Sequence, residues 1–385
     1  MQDTVNTQVM VYVVLAFAVA GIVSFGASPL VKRFARMVGA VDVPGDERRV
    51  HKKPITRLGG LAIFLGFLAA VLIFNDLGPQ IRGVMIGAII IVMLGVLDDI
   101  AHLKAWIKLI GQITAALVPA MAGVVIQTLS DPRFFFRDGA PPYFELGAWS
   151  VPVTVVWIVL ITNSVNLIDG LDGLAVGVSS IASLSMLIIA VALMIPDVAI
   201  LMAALAGACV GFMPYNLNPA KMFMGDTGAL FLGYILATSS ILGLFKFYAL
   251  ISFAVPFLVL ALPIFDTAAA IVRRLSKGRN PMSPDRSHVH HRLMDMGFTQ
   301  KQAVAILYAM SAVLGMTAVM LTTAGEIKAI ILLVAALIAL GVGLRVSMPP
   351  GSSRPPDGPD GAGDDNAPDG SGDAANNGES EERDD

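Results

Sequence analysis

The stretch Val84-Met-Ile-Gly-Ala-Ile-Ile-Ile-Val-Met-Leu-Gly-Val-Leu97 runs directly into Asp98-Asp99. An apolar run of this kind, beginning near residue 81, is long enough for a helix to cross the hydrocarbon core of a bilayer. An aspartate in the middle of such a helix costs about 2.5–3.5 kcal/mol, and the cost falls toward the interface. One acid at a helix end is therefore ordinary. Two adjacent acids oppose the negative end of the helix dipole and call for a cation beside them. Lys104 and Lys108 are near in sequence, and a divalent metal would serve as well.

Working outward, similar apolar runs recur along the chain. Of its 385 residues 56% are hydrophobic and only 14% charged, where soluble domains average about a quarter charged. The runs are too long and too uniformly apolar for barrel strands, and a helix satisfies its own backbone in lipid. The expected fold is an all-α polytopic transmembrane bundle of about 11 spans, near residues 9–30, 58–75, 81–97, 106–127, 150–166, 174–195, 198–215, 227–244, 249–272, 302–323 and 328–346. The first run lacks a preceding basic segment and a small-residue cleavage site, so it reads as a retained span. Pro196 and Asp197 are expected to form the turn of a tight helical hairpin. The only cysteine, Cys209, lies in an apolar run, which excludes an intrachain disulfide.

Charge is unevenly distributed. The net charge is −3, yet the segment from Ser347 onward holds 11 acids against Arg354 and Arg383. Residues 1–346 thus form a basic membrane domain, and residues 347–385 a polar, acidic tail that cannot bury a core and is expected to be disordered. With the N-terminus outside, 21 basic residues fall on the cytoplasmic side and five on the other; the positive-inside rule then puts the tail in the cytoplasm. The same orientation gathers Asp98-Asp99, Asn163 to Asp172, Asn216 to Asp226 and Asp285 to Arg292 on the cytoplasmic face.

The most specific of these clusters is Asn163-Ser-Val-Asn166-Leu-Ile-Asp169-Gly-Leu-Asp172-Gly-Leu-Ala175. Carboxamides and carboxylates recur every third position, which would spiral them about 60° apart around an ideal helix. Gly170 and Gly173 indicate that the backbone loosens into a turn there. Helix capping needs one such residue rather than four. Lys221-Met-Phe223-Met-Gly225-Asp226-Thr227-Gly228 precedes another span; Asp226 and Thr227 are good N-cap types, and an exposed aspartate there could also hold Mg²⁺ with substrate phosphates. Arg286-Ser-His288-Val-His290-His291-Arg292 holds three of the five histidines. It lacks the cysteines or HExxH spacing of a zinc site and reads as a phosphate-binding surface or a solvated basic loop. Gly59-Gly60 at the start of a span would let another backbone approach closely. Asp266, inside a span, requires a partner. Carboxylates for Mg²⁺ and basic groups for phosphates at a membrane surface fit phosphoryl transfer from a soluble diphosphate to a lipid-borne acceptor. A secondary transporter would instead place its acids near the midplane of paired repeats.

Asp98-Asp99, Asn163 to Ala175, Phe223-Met-Gly-Asp226-Thr-Gly and His288-Val-His-His291-Arg resemble the polyprenyl-phosphate N-acetylhexosamine-1-phosphate transferase family, in the family's order from about Pro54 to Arg292. The Ser-His-Val-His-His-Arg form and Arg57-Leu58 resemble its bacterial GlcNAc branch rather than the phospho-MurNAc-pentapeptide translocase. The resemblance implies transfer of GlcNAc-1-phosphate from UDP-GlcNAc to a polyprenyl phosphate, starting an envelope polysaccharide such as teichoic acid or O-antigen. UDP-MurNAc-pentapeptide and UDP-GalNAc are the alternative donors. It further implies Mg²⁺, or Mn²⁺, at Asp226. Asp98, with Asp99 beside it, would deprotonate or orient the acceptor phosphate, or position metal or substrate. Asn163, Asn166, Asp169, Asp172 and Phe223 would hold the uridine, Lys53 would lie near the diphosphate, and His288, His290, His291 and Arg292 would contact diphosphate or sugar. The expected setting is the cytoplasmic face of the plasma (inner) membrane, with a possible homodimer and no nucleic-acid partner.

Overall fold

The computed structural model describes residues 2–42, 54–130, 143–243, 249–276 and 288–323, with three isolated positions beyond. Lys53, the body of the run 328–346 and the tail 347–385 lie outside the described residues.

The described residues are mostly helical: α1 (Gln2–Met37), α2 (Gly59–Phe74), α3 (Pro79–Ala101), α4 (Ala105–Met121), α5 (Ser150–Ile168), α6 (Leu174–Ala192), α7 (Pro196–Asn216), α8 (Gly225–Gly243), α9 (Ala249–Val259), α10 (Ala261–Ser276), α11 (Val289–Asp295) and α12 (Gln300–Thr323). Two small antiparallel pairs depart from an all-α description: β1 (Val41–Asp42) with β2 (Ile55–Thr56), and β3 (Thr128–Ser130) with β4 (Tyr143–Glu145). Among the described residues seven helices, α1, α3, α5, α6, α7, α8 and α12, are long and apolar enough to cross a membrane. The runs expected over 58–75 and 106–127 form the shorter apolar helices α2 and α4. The run expected over 249–272 is divided at Leu260. Pro263 has no N–H to offer the carbonyl of Val259, and that missing bond accounts for the break.

The helix α1 extends well beyond the expected 9–30, because Lys32, Arg33 and Arg36 are good helix formers and suit a helix C-terminus. The hairpin between α6 and α7 forms, but its turn is Leu193–Ile195, with Met194 at φ 56°. Pro196 and Asp197 are the first residues of α7, where a proline leaves no useful donor unbonded.

The helix α8 is the centre of the bundle, with every side chain from Thr227 to Gly243 buried. It packs on α2, α3, α5 and α6. Two of its buried polar groups bond to neighbouring helices: the Tyr234 hydroxyl donates to the Val84 carbonyl at 3.1 Å and Ser240 Oγ accepts from Trp157 Nε1 at 3.1 Å. Two glycines let neighbouring backbones reach its first turn. A Cβ on Gly60 would stand 2.0 Å from the Gly228 nitrogen, and one on Gly95 would stand 2.4 Å from the Thr227 Cα. The N–H groups of Gly59 and Gly60 donate to the carbonyls of Phe223 and Met224 at 3.0 and 2.8 Å, and Phe223 N–H donates to the Thr56 carbonyl at 2.9 Å. The Gly59-Gly60 pair thus clamps the entry of α2 to the entry of α8.

Candidate active site

The first turn of α8 is held by α3. Asp99, near the last turn of α3, accepts from the Asp226 N–H at 2.9 Å through one oxygen. Its other oxygen accepts from the Thr227 N–H at 3.0 Å and the Thr227 hydroxyl at 2.7 Å. A carboxylate here satisfies free donors at a helix N-terminus and complements its dipole. Of the two tasks open to Asp226, capping falls to Asp99 of α3, and the Asp226 carboxylate points away from its own helix start. The same bonds give Asp99 a structural task in positioning α8.

Asp98 lies beside it and is equally buried. Its Oδ1 accepts from the Leu103 N–H at 2.9 Å, just past the end of α3, and its Oδ2 pairs with the Lys108 ammonium of α4. Lys108 Nζ also reaches Asp226 Oδ2 at 3.1 Å, and Asn166 Nδ2 donates to Asp226 Oδ1 at 2.6 Å. Four helices, α3, α4, α5 and α8, thus meet at one ammonium and two carboxylates. Of the two lysines that the sequence offers as counter-ions, the one that serves is Lys108.

A cavity of about 1210 Å³ opens beside this cluster. Asp99, Asn166, Asp169, Asp172, Phe223, Asp226 and His291 line it, while Lys32, Arg57 and Lys221 contribute positive charge. The break expected at Gly170 and Gly173 is present: α5 ends at Ile168, α6 starts at Leu174, and Gly173 has φ 80°. Asp172 Oδ2 accepts from Asn218 Nδ2 and the Ala220 N–H, both at 3.0 Å, which ties this turn to the segment after α7. Burial pushes the Asp169 carboxyl up to about 8, helped by the charges of Asp226 and Asp99 and opposed by Arg57. At neutral pH Asp169 is a hydrogen-bond donor as well as an acceptor.

Several expected site residues are placed elsewhere. Asn163 does not line the cavity; its amide exchanges hydrogen bonds with Gln112 at 2.6 and 3.3 Å and joins α5 to α4. Every third residue along a helix drifts around it, so Asn163 and Asn166 face different neighbours. His288 is buried, with Nδ1 2.8 Å from Asp266 Oδ2, and Asp266 Oδ1 accepts from the Val289 N–H at 2.9 Å. Asp266 therefore caps α11, the partner its burial required. His290 is buried against the turn, where a Cβ on Gly170 would approach its Nε2 to 2.4 Å. Burial, reinforced by the charge of His291, holds His290 down at about 4. Arg292 is exposed and does not line the cavity. Of the four, His291 alone lines it. Sequence reasoning passed over Asn216 and Asn218 as individual residues. Asn216 accepts from the Gly173 N–H and donates to the Met222 carbonyl, both at 3.1 Å, and so joins the two loops of the site. Their signal was an Asn-Leu-Asn-Pro run at the polar end of an apolar helix.

Among the described residues no group of three or more His, Cys, Asp or Glu could hold a metal ion alone. Asp98 and Asp226, however, each turn one oxygen to a single cation, the Lys108 ammonium. A pair of carboxylates beside a large polar cavity fits a hard ion such as Mg²⁺, which takes few protein oxygens and fills its shell with phosphate and water.

Apolar helices converging on a carboxylate-lined cavity define a multi-pass membrane enzyme class in which charge is handled at the helix ends. Residues 81–244 match the family described as glycosyl transferase family 4. The chain is 40% identical to the probable undecaprenyl-phosphate N-acetylglucosaminyl 1-phosphate transferase of Bacillus subtilis, over 82% of this chain and 86% of that one. It is 37% identical to the decaprenyl-phosphate N-acetylglucosaminephosphotransferase of Mycolicibacterium smegmatis, over 75% and 77%. It is 30% identical to the phospho-N-acetylmuramoyl-pentapeptide-transferase of Desulforudis audaxviator, over 79% and 96%. This chain belongs to glycosyl transferase family 4, among the polyprenyl-phosphate N-acetylhexosamine-1-phosphate transferases.

Proposed function

We propose that this protein transfers GlcNAc-1-phosphate from UDP-GlcNAc to a polyprenyl phosphate, giving polyprenyl-diphosphate-GlcNAc and UMP. An oxygen of the lipid phosphate attacks the donor phosphorus next to the sugar, and the bond from that phosphorus to the bridging oxygen breaks. UMP leaves with the electron pair. The observation that carries the reading is the meeting of Asp226 and Asn166 with Asp169, Asp172 and Phe223 at one cavity wall. The similarity to relatives named for GlcNAc-1-phosphate transfer supports this donor over a muramoyl-pentapeptide one.

In this reading Asp226 holds Mg²⁺ or Mn²⁺, oriented by Asn166, and the metal supplies neutralisation of phosphate charge. Asp169, Asp172 and Phe223 hold the uridine, and His291 faces the diphosphate or sugar. Asp98, behind the cavity lining and bonded to the Leu103 N–H through Oδ1, would turn Oδ2 to the same ion beside Asp226. His288 and His290 act through α11 by setting its place against the turn at Gly170. About eleven spans, the N-terminus outside and the cavity at the cytoplasmic face of the plasma membrane complete the proposal, supported by the bias of basic residues.

The test incubates the purified full-length protein with Mg²⁺, polyprenyl phosphate and each UDP-sugar in turn and measures UMP. UMP from UDP-GlcNAc well above that from UDP-GalNAc or UDP-MurNAc-pentapeptide is the expected result. Release with the pentapeptide donor alone would overturn the donor assignment, and no release with any donor would overturn the transferase reading.

A further inference from the structure

The bonds around Lys108 count out the places left for a cation. Asp226 Oδ1 is taken by Asn166 and Asp98 Oδ1 by the Leu103 N–H, both neutral donors fixed by their own elements. The oxygens that remain, Asp226 Oδ2 and Asp98 Oδ2, are the two that face the Lys108 ammonium. Asp99 is already committed to the start of α8, with one bond on Oδ1 and two on Oδ2. A carboxylate oxygen can take a second partner, but the point that both carboxylates face is the one the ammonium holds, so a metal ion shared by Asp226 and Asp98 would take that volume. Two like charges cannot share it at contact distance without a large repulsive cost.

We propose that Lys108 is a resident counter-ion that fills the cation position between Asp98 and Asp226 until a divalent metal displaces it. Metal binding and the Lys108 bridge exclude one another. The bridge keeps two buried carboxylates together without metal, where their mutual repulsion would otherwise open the site. The displaced side chain is long and flexible and remains beside the cavity, available to a phosphate that arrives with the metal. Lys108 is thus a positioning residue that sets the metal affinity of the empty enzyme. This inference rests on the assignment of the metal to Asp226.

The experiment measures Mn²⁺ binding by electron paramagnetic resonance to the full-length protein in detergent, without nucleotide or lipid phosphate. The wild type is compared with Lys108→Met, Lys108→Gln and Asp226→Asn. Lys108→Met and Lys108→Gln are expected to bind Mn²⁺ about tenfold more tightly than wild type, or better. Without metal both should unfold at lower temperature than wild type, and Mn²⁺ should raise their midpoints by more than it raises the wild-type one. The glutamine keeps a hydrogen-bond donor, so it separates loss of charge from loss of fold. Unchanged or weaker Mn²⁺ binding in both lysine variants, with wild-type binding that Asp226→Asn abolishes, overturns the role of Lys108 alone. Binding that Asp226→Asn leaves intact overturns the metal assignment beneath it.

Discussion

Asp98, Asp99, Asp169 and Asp226 are one residue type with four sets of partners, and the partners divide their tasks. Asp99 is bonded to backbone, Asp98 to backbone and an ammonium, and Asp226 to an amide and the same ammonium. Asp169 has no such partner among the described residues, and burial pushes its carboxyl up to about 8. The unfolded chain ionises an aspartate near 4. Between those values the folded state holds the extra proton, so the Asp169 contribution to stability falls as pH rises from about 4 to about 8. Asp169→Asn keeps the neutral form at every pH. It should raise the thermal midpoint of the ligand-free protein at pH 8 to 9 and change it little near pH 4, while weakening donor binding. An equal shift at both pH values would contradict the assignment. The residue types marked these acids by their cost in an apolar setting, and the family resemblance assigned them tasks, but neither gave their partners. The bonds from Asp99 to α8 and from Lys108 to Asp226 join residues more than a hundred positions apart, and no local pattern encodes them.

Among elements, the entry of α8 is fixed by glycines rather than by side-chain packing. At Gly60 an added methyl would meet backbone, which cannot rotate away as a side chain can. Gly60→Ala should destabilise the fold by about 1–3 kcal/mol, in the range typical of overpacking, and should lower activity although it touches no cavity-lining carboxylate. Gly26→Ala, inside α1 with nothing within 4 Å of its added methyl, should stabilise by about 0.5–1 kcal/mol through helix propensity. Thermal unfolding of the two variants checks the contrast, and equal effects would contradict the close-approach account. The apolar runs announced most helices, because length and hydropathy are local properties. Helix ends were less legible: α4 stops at Met121 although its apolar run continues, and α9 parts from α10 around a proline whose effect depends on the carbonyl it leaves unbonded. The histidine segment was read as a binding surface, yet two of its three rings are buried in the docking of α11. Burial by another element is a tertiary outcome that a cluster of histidines does not reveal.

For the molecule as a whole, one end of the bundle carries the chemistry: the C-terminal ends of α3, α5 and α7, the turn before α6 and the N-terminal ends of α8 and α12 all supply cavity residues. That alternation follows from helices traversing the same slab in opposite directions, and the sequence anticipated it from the charge of the connecting segments. What it could not supply was the cavity itself, which depends on how the ends lean together. Such a place suits a reaction between a soluble donor and a membrane-held phosphate, and it makes a specific claim about which bond breaks. UDP-GlcNAc labelled with radiophosphorus only in the phosphate next to the sugar, incubated with the full-length protein, Mg²⁺ and polyprenyl phosphate, tests that claim most directly. The account predicts that the label moves into the lipid fraction and that the UMP released is unlabelled. Label retained in water-soluble UDP, with sugar alone passing to the lipid, would contradict it.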